Sequence, residues 1–206
     1  MLTQSHVLLS AALLGARADK RSLRVIAATV GALLPDISIF VMWGQARLRG
    51  ITDHHIWSEL YYSDFWQGVG AQTNSMPLFL LLSLIGLGVQ SWSSKRDHKT
   101  GRCAGLFVAV LGASALLHTL FDLPLHHNDG HPHFWPFTNW IYNSPLSYWD
   151  PAHHSMVWQP IEILLSIILV VFLWRRFSSK VAKTCLVLGT LTYAAMAVFW
   201  VVSLGK

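Results

Sequence analysis

Eleven histidines occur in this chain, and six of them, His126, His127, His131, His133, His153 and His154, crowd one segment. No Lys or Arg stands between Phe121 and Trp174. A solvated loop would ordinarily carry cations; this one carries neutral imidazoles and carboxylates, ligands of intermediate hardness suited to zinc, manganese or iron. Further ionisable groups stand in apolar surroundings, where each is a functional candidate by default. These are His6, Asp36, His118, Asp122 and Glu162. His118 and Asp122 are four residues apart, so on a helix both side chains leave one face about a turn apart. Such a His–Asp pair is also a common structural hydrogen bond, and Asp36 has its own structural reading, because Pro35 beside it frees backbone carbonyls. In the segment RGITDHH, at least one of His54 and His55 is a plausible ligand, since adjacent residues point in different directions.

The elements that must hold these groups are apolar helices. Charged residues make up 12% of the chain and hydrophobic ones 53%, with mean hydropathy +0.43, so the surface cannot be mostly water-facing. Residues 22–43, 76–92, 102–122, 158–174 and 181–204 reach or approach membrane-spanning length. A sixth apolar stretch, 3–16, would be a helix of only about 21 Å; it lacks the basic start of a signal peptide and reads as a retained helix. The expected architecture is all-α: a polytopic membrane bundle of five to six transmembrane helices, forming a single membrane-embedded domain over 1–206. Its outer loops are 44–75 and 123–157, the second His-rich. Prolines 124, 132, 136, 145 and 151 exclude a long regular helix before Trp158.

Charge sets the expected orientation. Of the 15 basic residues, twelve fall in three clusters: Arg17, Lys20, Arg21 and Arg24; Lys95, Arg96, Lys99 and Arg102; Arg175, Arg176, Lys180 and Lys183. By the bias of cations toward the cytoplasm, those loops are inside and the His-rich connections outside. The cations are not gathered into one face interleaved with aromatics, so the net charge of +5 does not point to nucleic acid. Cys103 and Cys185 are expected to be buried small apolar residues, too few for a disulfide framework. The loop aromatics Phe134, Trp135, Phe137, Trp140, Tyr142, Tyr148 and Trp149 read as an interfacial belt, as walls of a pocket for an amphiphile, or as both. No G-x-S-x-G, phosphate-binding glycine loop or suitably placed Cys offers a covalent nucleophile.

The succession of His6 in a small-residue helix, LLPD with Asp36, RGITDHH with His54 or His55, and HTLFD with His118 and Asp122 resembles the bacterial YdjM-type family of membrane-bound metal-dependent hydrolases. More distantly it is similar to the helical, zinc-dependent phospholipase C class. The resemblance covers roughly residues 1–125 and implies that His6, Asp36, His118 and Asp122 are site residues. It also implies location in the bacterial inner membrane, with the His-rich loops periplasmic. The sequence departs from the family at Leu48 before Arg49 and at Asp53 between Thr52 and His54, and Trp158 rather than His stands four residues before Glu162. The later ligands therefore come from elsewhere in the outer loop.

On that reading the metal ligands are drawn from His6, Asp36, His118, Asp122, His126, His127, His131 and Glu162. Asp36, His54 and His55 are the candidates for activating water. The cofactor is a divalent metal, zinc first, with manganese or iron as alternatives. The substrate is a phosphoester or lipid-linked molecule met at the bilayer. Two rivals belong to other classes: a divalent-metal transporter or sensor with a His-rich capture loop, and a di-iron membrane oxygenase suggested by the H-x-x-x-H spacing of His127 and His131.

Overall fold

In lipid a backbone must satisfy its own hydrogen bonds, and this apolar chain does so with helices. The structure, a computed structural model, describes the backbone of residues 1–15 and 22–204, and the side chains of these apart from 22, 192 and 196–204. The expected inner cations Arg17, Lys20 and Arg21 lie outside the described residues. The helices are α1 (Thr3–Leu13), α2 (Ser22–Leu33), α3 (Ile37–Leu48), α4 (Asp53–His55), α5 (Asp64–Thr73), α6 (Met76–Lys95), α7 (Lys99–Asp122), α8 (Ser155–Arg176) and α9 (Lys180–Leu204). A π-helical turn, Ile56–Leu60, prolongs α4. No strand occurs among the described residues.

The number of spans is corrected downward from five to six. Among the described residues three helical stretches are long and apolar enough to cross a bilayer: Asp64–Lys95, Lys99–Leu125 and Ser155–Arg176. A fourth is reached only if Leu23–Leu33 and Ile37–Leu48, bent by 61°, count as one. The cause of that bend is Pro35, which has no N–H to continue the ladder and whose ring clashes with the preceding turn. α1 has 11 residues, about 16 Å of helix, roughly half the hydrocarbon core. α9 coincides with the last expected span, but its side chains from 196 onward are outside those described.

Close packing rather than bulky apolar contact holds the bundle, as expected where lipid is as apolar as the interface. α6 and α7 pack so closely that a Cβ added to Gly86 would meet the backbone of Ala109 and Gly105, and one added to Gly112 would meet Ser83 and Phe79. α2 lies on α7 through Ala27, Ala28 and Ala32, all fully buried, and the Ser114 hydroxyl donates to the Ala28 carbonyl at 2.5 Å. α1 packs on α8 and α9 through Leu8, Leu9, Ala11, Leu169, Leu173 and Leu186. The Arg176 guanidinium donates to the carbonyls of Ala12 (2.7 Å) and Gly15 (2.5 Å), satisfying acceptors that the end of α1 leaves without intrahelical partners. The α1 stripe buries His6 and Ser10, while Leu13 is exposed.

Both cysteines are exposed, which corrects the expectation of burial. A small apolar side chain on a membrane helix gains little by facing protein instead of lipid.

Gly86→Ala should therefore destabilise the detergent-solubilised protein by about 1–3 kcal/mol, the usual cost of overpacking. Gly88 faces open space, and Gly88→Ala should be neutral or slightly stabilising. Comparing the unfolding midpoints of the two variants with wild type tests the α6–α7 contact.

Candidate metal centre

Four elements bring ionisable groups to one end of the bundle. α7 supplies His118 and Asp122 from one face, as their spacing requires; α1 supplies His6, and the break between α2 and α3 supplies Asp36. Pro35 cannot donate and the helix stops, so the Ala32 carbonyl loses its intrahelical partner; His118 takes that place, its Nδ1 donating to Ala32 O at 2.7 Å. The same imidazole's Nε2 lies 3.0 Å from Asp122 Oδ2 and 3.5 Å from Asp36 Oδ1. His6 stacks on His118 with ring centroids 3.6 Å apart, and its Nε2 lies 2.9 Å from Asp122 Oδ1. The Met1 amino nitrogen stands 2.6 Å from that oxygen. The Thr3 hydroxyl donates to Asp36 Oδ2, fixing the second carboxylate.

Among the described residues, His6, His118 and Asp122 form the one group of three potential ligands, with one donor atom from each within 4.8 Å of the others. All three are buried, and His6 Nδ1 has no hydrogen-bond partner. Two imidazoles and a carboxylate are a donor set suited to zinc or a related divalent ion. Both ring nitrogens of His118 face acceptors: a carbonyl at Nδ1 and two carboxylate oxygens at Nε2. With Nδ1 donating, a neutral ring would aim its Nε2 lone pair at those oxygens, so the position calls for a cation, whether a proton or a metal ion. The residues thus fit a divalent metal.

His126 stands at the edge, its Nε2 3.7 Å from Asp122 Oδ1 and its Nδ1 donating to Asp129 Oδ2 at 2.8 Å. Burial alone would lower its pKa, but hydrogen bonds with Asp122 and Asp129 prevail and raise it to about 9. Glu162 is buried yet makes no printed contact with this cluster; its Oε1 accepts from Leu2 N at 2.8 Å and from the Ser5 hydroxyl, fastening the start of α1 to α8. His127 and His131 point elsewhere. His127 donates to Ser144 O (2.6 Å) and stacks on His153, whose Nδ1 is bonded to Asp150. His131 lies against Tyr61 and Gly70. The segment carrying them is not helical, so their four-residue spacing does not place them on one face. His54 and His55 are exposed on α4, His55 paired with Glu59 at 3.1 Å.

Four contacts of this centre had no counterpart in the sequence reading: Met1, Thr3, Ser5 and Asp129. Asp129 alone left a trace, a carboxylate three residues after His126 in a turn-forming stretch. Its backbone carbonyl also accepts from the Tyr61 hydroxyl at 2.7 Å. Burial pushes the Tyr61 phenol up, so it remains a donor there. Its oxygen is consequently free to accept from His131 Nε2 at 3.4 Å, which leaves His131 Nδ1 as a buried, unpartnered lone pair. A proton added at Nδ1 would find no acceptor. Burial first, and then the charges of His126 and His133, lower the His131 pKa from 6.5 to about 4.

Because the folded pKa lies below the unfolded one, His131 opposes acidification. Its contribution is present above pH 6.5 and lost as pH falls toward about 4, a change of up to about 3 kcal/mol at full titration. His131→Gln, which does not titrate, should flatten that part of the stability–pH curve, as measured by denaturant unfolding between pH 7 and 4.

Neither a curated protein nor a solved structure matches the chain. Residues 1–202 match the model of the YdjM inner membrane protein family, and with its apolar helices the chain belongs to that family and to the inner membrane.

Proposed function

We propose that this chain is a membrane-bound, metal-dependent hydrolase of a phosphoester or lipid-linked substrate. Its site lies at the outer, periplasmic face of a single multi-pass helical domain spanning 1–206, and the metal is zinc, with manganese or iron as alternatives. The observation that carries the reading is the pairing of His118: one nitrogen is committed to Ala32 O, and the other meets two carboxylates beside a stacked second imidazole. A bound divalent ion supplies Lewis-acid chemistry, acidifying a water and polarising a phosphoryl or acyl oxygen. His6, His118 and Asp122 hold it. Asp36, oriented by Thr3 and within 3.5 Å of His118, is placed to direct a water or accept its proton. His126, fixed by Asp129, presents Nε2 at the rim, where a proton can be exchanged with a substrate oxygen.

Charge supports an anionic substrate met by metal. With no Lys or Arg between residues 103 and 174, a phosphoryl group at this centre finds its countercharge in the ion. The likeness of the ligand order to zinc-dependent phospholipase C favours phosphoester chemistry by analogy. The outer location rests on the inner clustering of cations. A transporter is disfavoured because α7 carries no His or carboxylate between Arg102 and His118 to continue a path inward. The separate partners of His127 and His131 disfavour a di-iron His box.

Elemental mass spectrometry of purified wild type should find roughly one to three equivalents of a first-row divalent metal. His118→Ala and Asp122→Asn, checked for helical content by circular dichroism, should lose it. Hydrolysis of a chromogenic phosphoester should disappear on chelation and return with zinc. Folded wild-type protein without metal would reduce the centre to a proton-bridged structural cluster and end the hydrolase reading.

A further inference from the structure

The outer connection between α7 and α8 contains an exposed aromatic arch that the metal centre does not use. Its feet are fastened. His133 O accepts from Met76 N at 2.8 Å and Trp135 O from the Ser75 hydroxyl at 2.5 Å, tying residues 133–135 to the start of α6. On the other side Ser144 N donates to His126 O (3.1 Å) and Tyr148 N to Leu125 O (2.7 Å), tying residues 144–148 to the end of the Lys99–Leu125 span. Both feet therefore stand at the end of the bundle where α7 stops and α8 begins.

Between the feet, residues 136–143 are exposed throughout. Phe137 is 82% exposed and Trp140 55%, with Phe134, Ile141 and Tyr142 each at 37%. Phe134, Trp140 and Tyr142 form a ladder with ring centroids 6.0 and 5.9 Å apart. No Asp, Glu, Lys or Arg occurs between Asp129 and Asp150, and the two histidines in that interval, His131 and His133, are buried. A contiguous aromatic patch of this kind is not left in water, and Trp and Tyr, apolar rings with a polar tip, favour the headgroup level. The patch is uncharged and continuous with the ends of two spanning helices, which selects lipid over an aqueous partner.

We propose that the arch, led by Phe137 and Trp140, is seated in the lipid interface at the end of the bilayer where the metal centre lies. The arch packs on the rim of that centre: a Cβ on Gly130 would meet Ile141 at 3.2 Å, the Tyr142 carbonyl at 3.5 Å and His126 Cβ at 3.8 Å. It is thus a lipid-facing platform beside the cluster. The seating stands whether or not the cluster hydrolyses anything.

The test places a nitroxide at Phe137→Cys and, separately, at Trp140→Cys, in the full chain with Cys103 and Cys185 changed to Ser. The protein is reconstituted in phosphatidylethanolamine–phosphatidylglycerol vesicles. Labels at Leu84→Cys, on the exposed face of spanning α6, and Lys95→Cys, at its charged end, serve as lipid and water references. Collisions with oxygen and with a water-soluble nickel chelate are read at each position. Seating predicts retention of the oxygen effect and loss of the chelate effect at 137 and 140, as at 84. A chelate effect equal to that at 95 would overturn the proposal in favour of a water-facing loop. Loss of both effects would overturn it in favour of a contact with protein, a second copy included.

Discussion

A single buried carboxylate organises the active end of this protein. Asp122 receives His118 from its own helix, His6 and the Met1 nitrogen from the start of the chain, and the edge of His126 from the outer loop. At 7% exposure beside a lipid-embedded bundle, it is tolerable only with cations or donors around it. That demand explains the position of α1. The helix is too short to cross a bilayer, yet it is held against α7, α8 and α9 by apolar packing, by Glu162 at its outer end and by Arg176 at its inner end. Removing either fastening would let His6 swing away from the carboxylate it serves.

The proline break supplies the second half of the geometry. A continuous helix through residues 22–48 would have consumed the Ala32 carbonyl internally and left His118 Nδ1 without that acceptor. Breaking the helix releases Ala32 O to His118 and Pro35 O to the Asn74 amide, at 3.1 Å, so neither is orphaned. It also turns Asp36 toward His118. The feature that lowers the number of full spans is therefore the one that builds the site.

The His-rich loop shows how similar residues divide between chemistry and architecture. Asp129 links three of its neighbours: its carboxylate orients His126, and its carbonyl takes Tyr61, whose oxygen in turn receives His131. His133 ties to the Asn74 carbonyl, and His127 to Ser144 O. Each of these contacts uses one ring nitrogen to pin irregular backbone, work that secondary structure does in the spans. Neutral imidazole suits it, because it donates and accepts without carrying a charge into a buried place.

Some of this was legible before any fold was known. Composition required apolar helices, and the four-residue spacing of His118 and Asp122 placed both on one helix face, because helical geometry is local. Pro35 announced a kink. Local information did not extend to whether that kink leaves one span or two, since the outcome depends on what packs against the freed carbonyls. Nor could it sort the histidines. Equal in chemistry, His126 reaches the cluster while His127 and His131 turn to Ser144 and Tyr61, because irregular backbone has no fixed period from which a side-chain direction follows. The meeting of His6 with Asp122, 116 residues apart, belongs to tertiary structure alone: helix packing set it, through small residues that let α1, α2 and α7 approach closely enough for short polar side chains to touch.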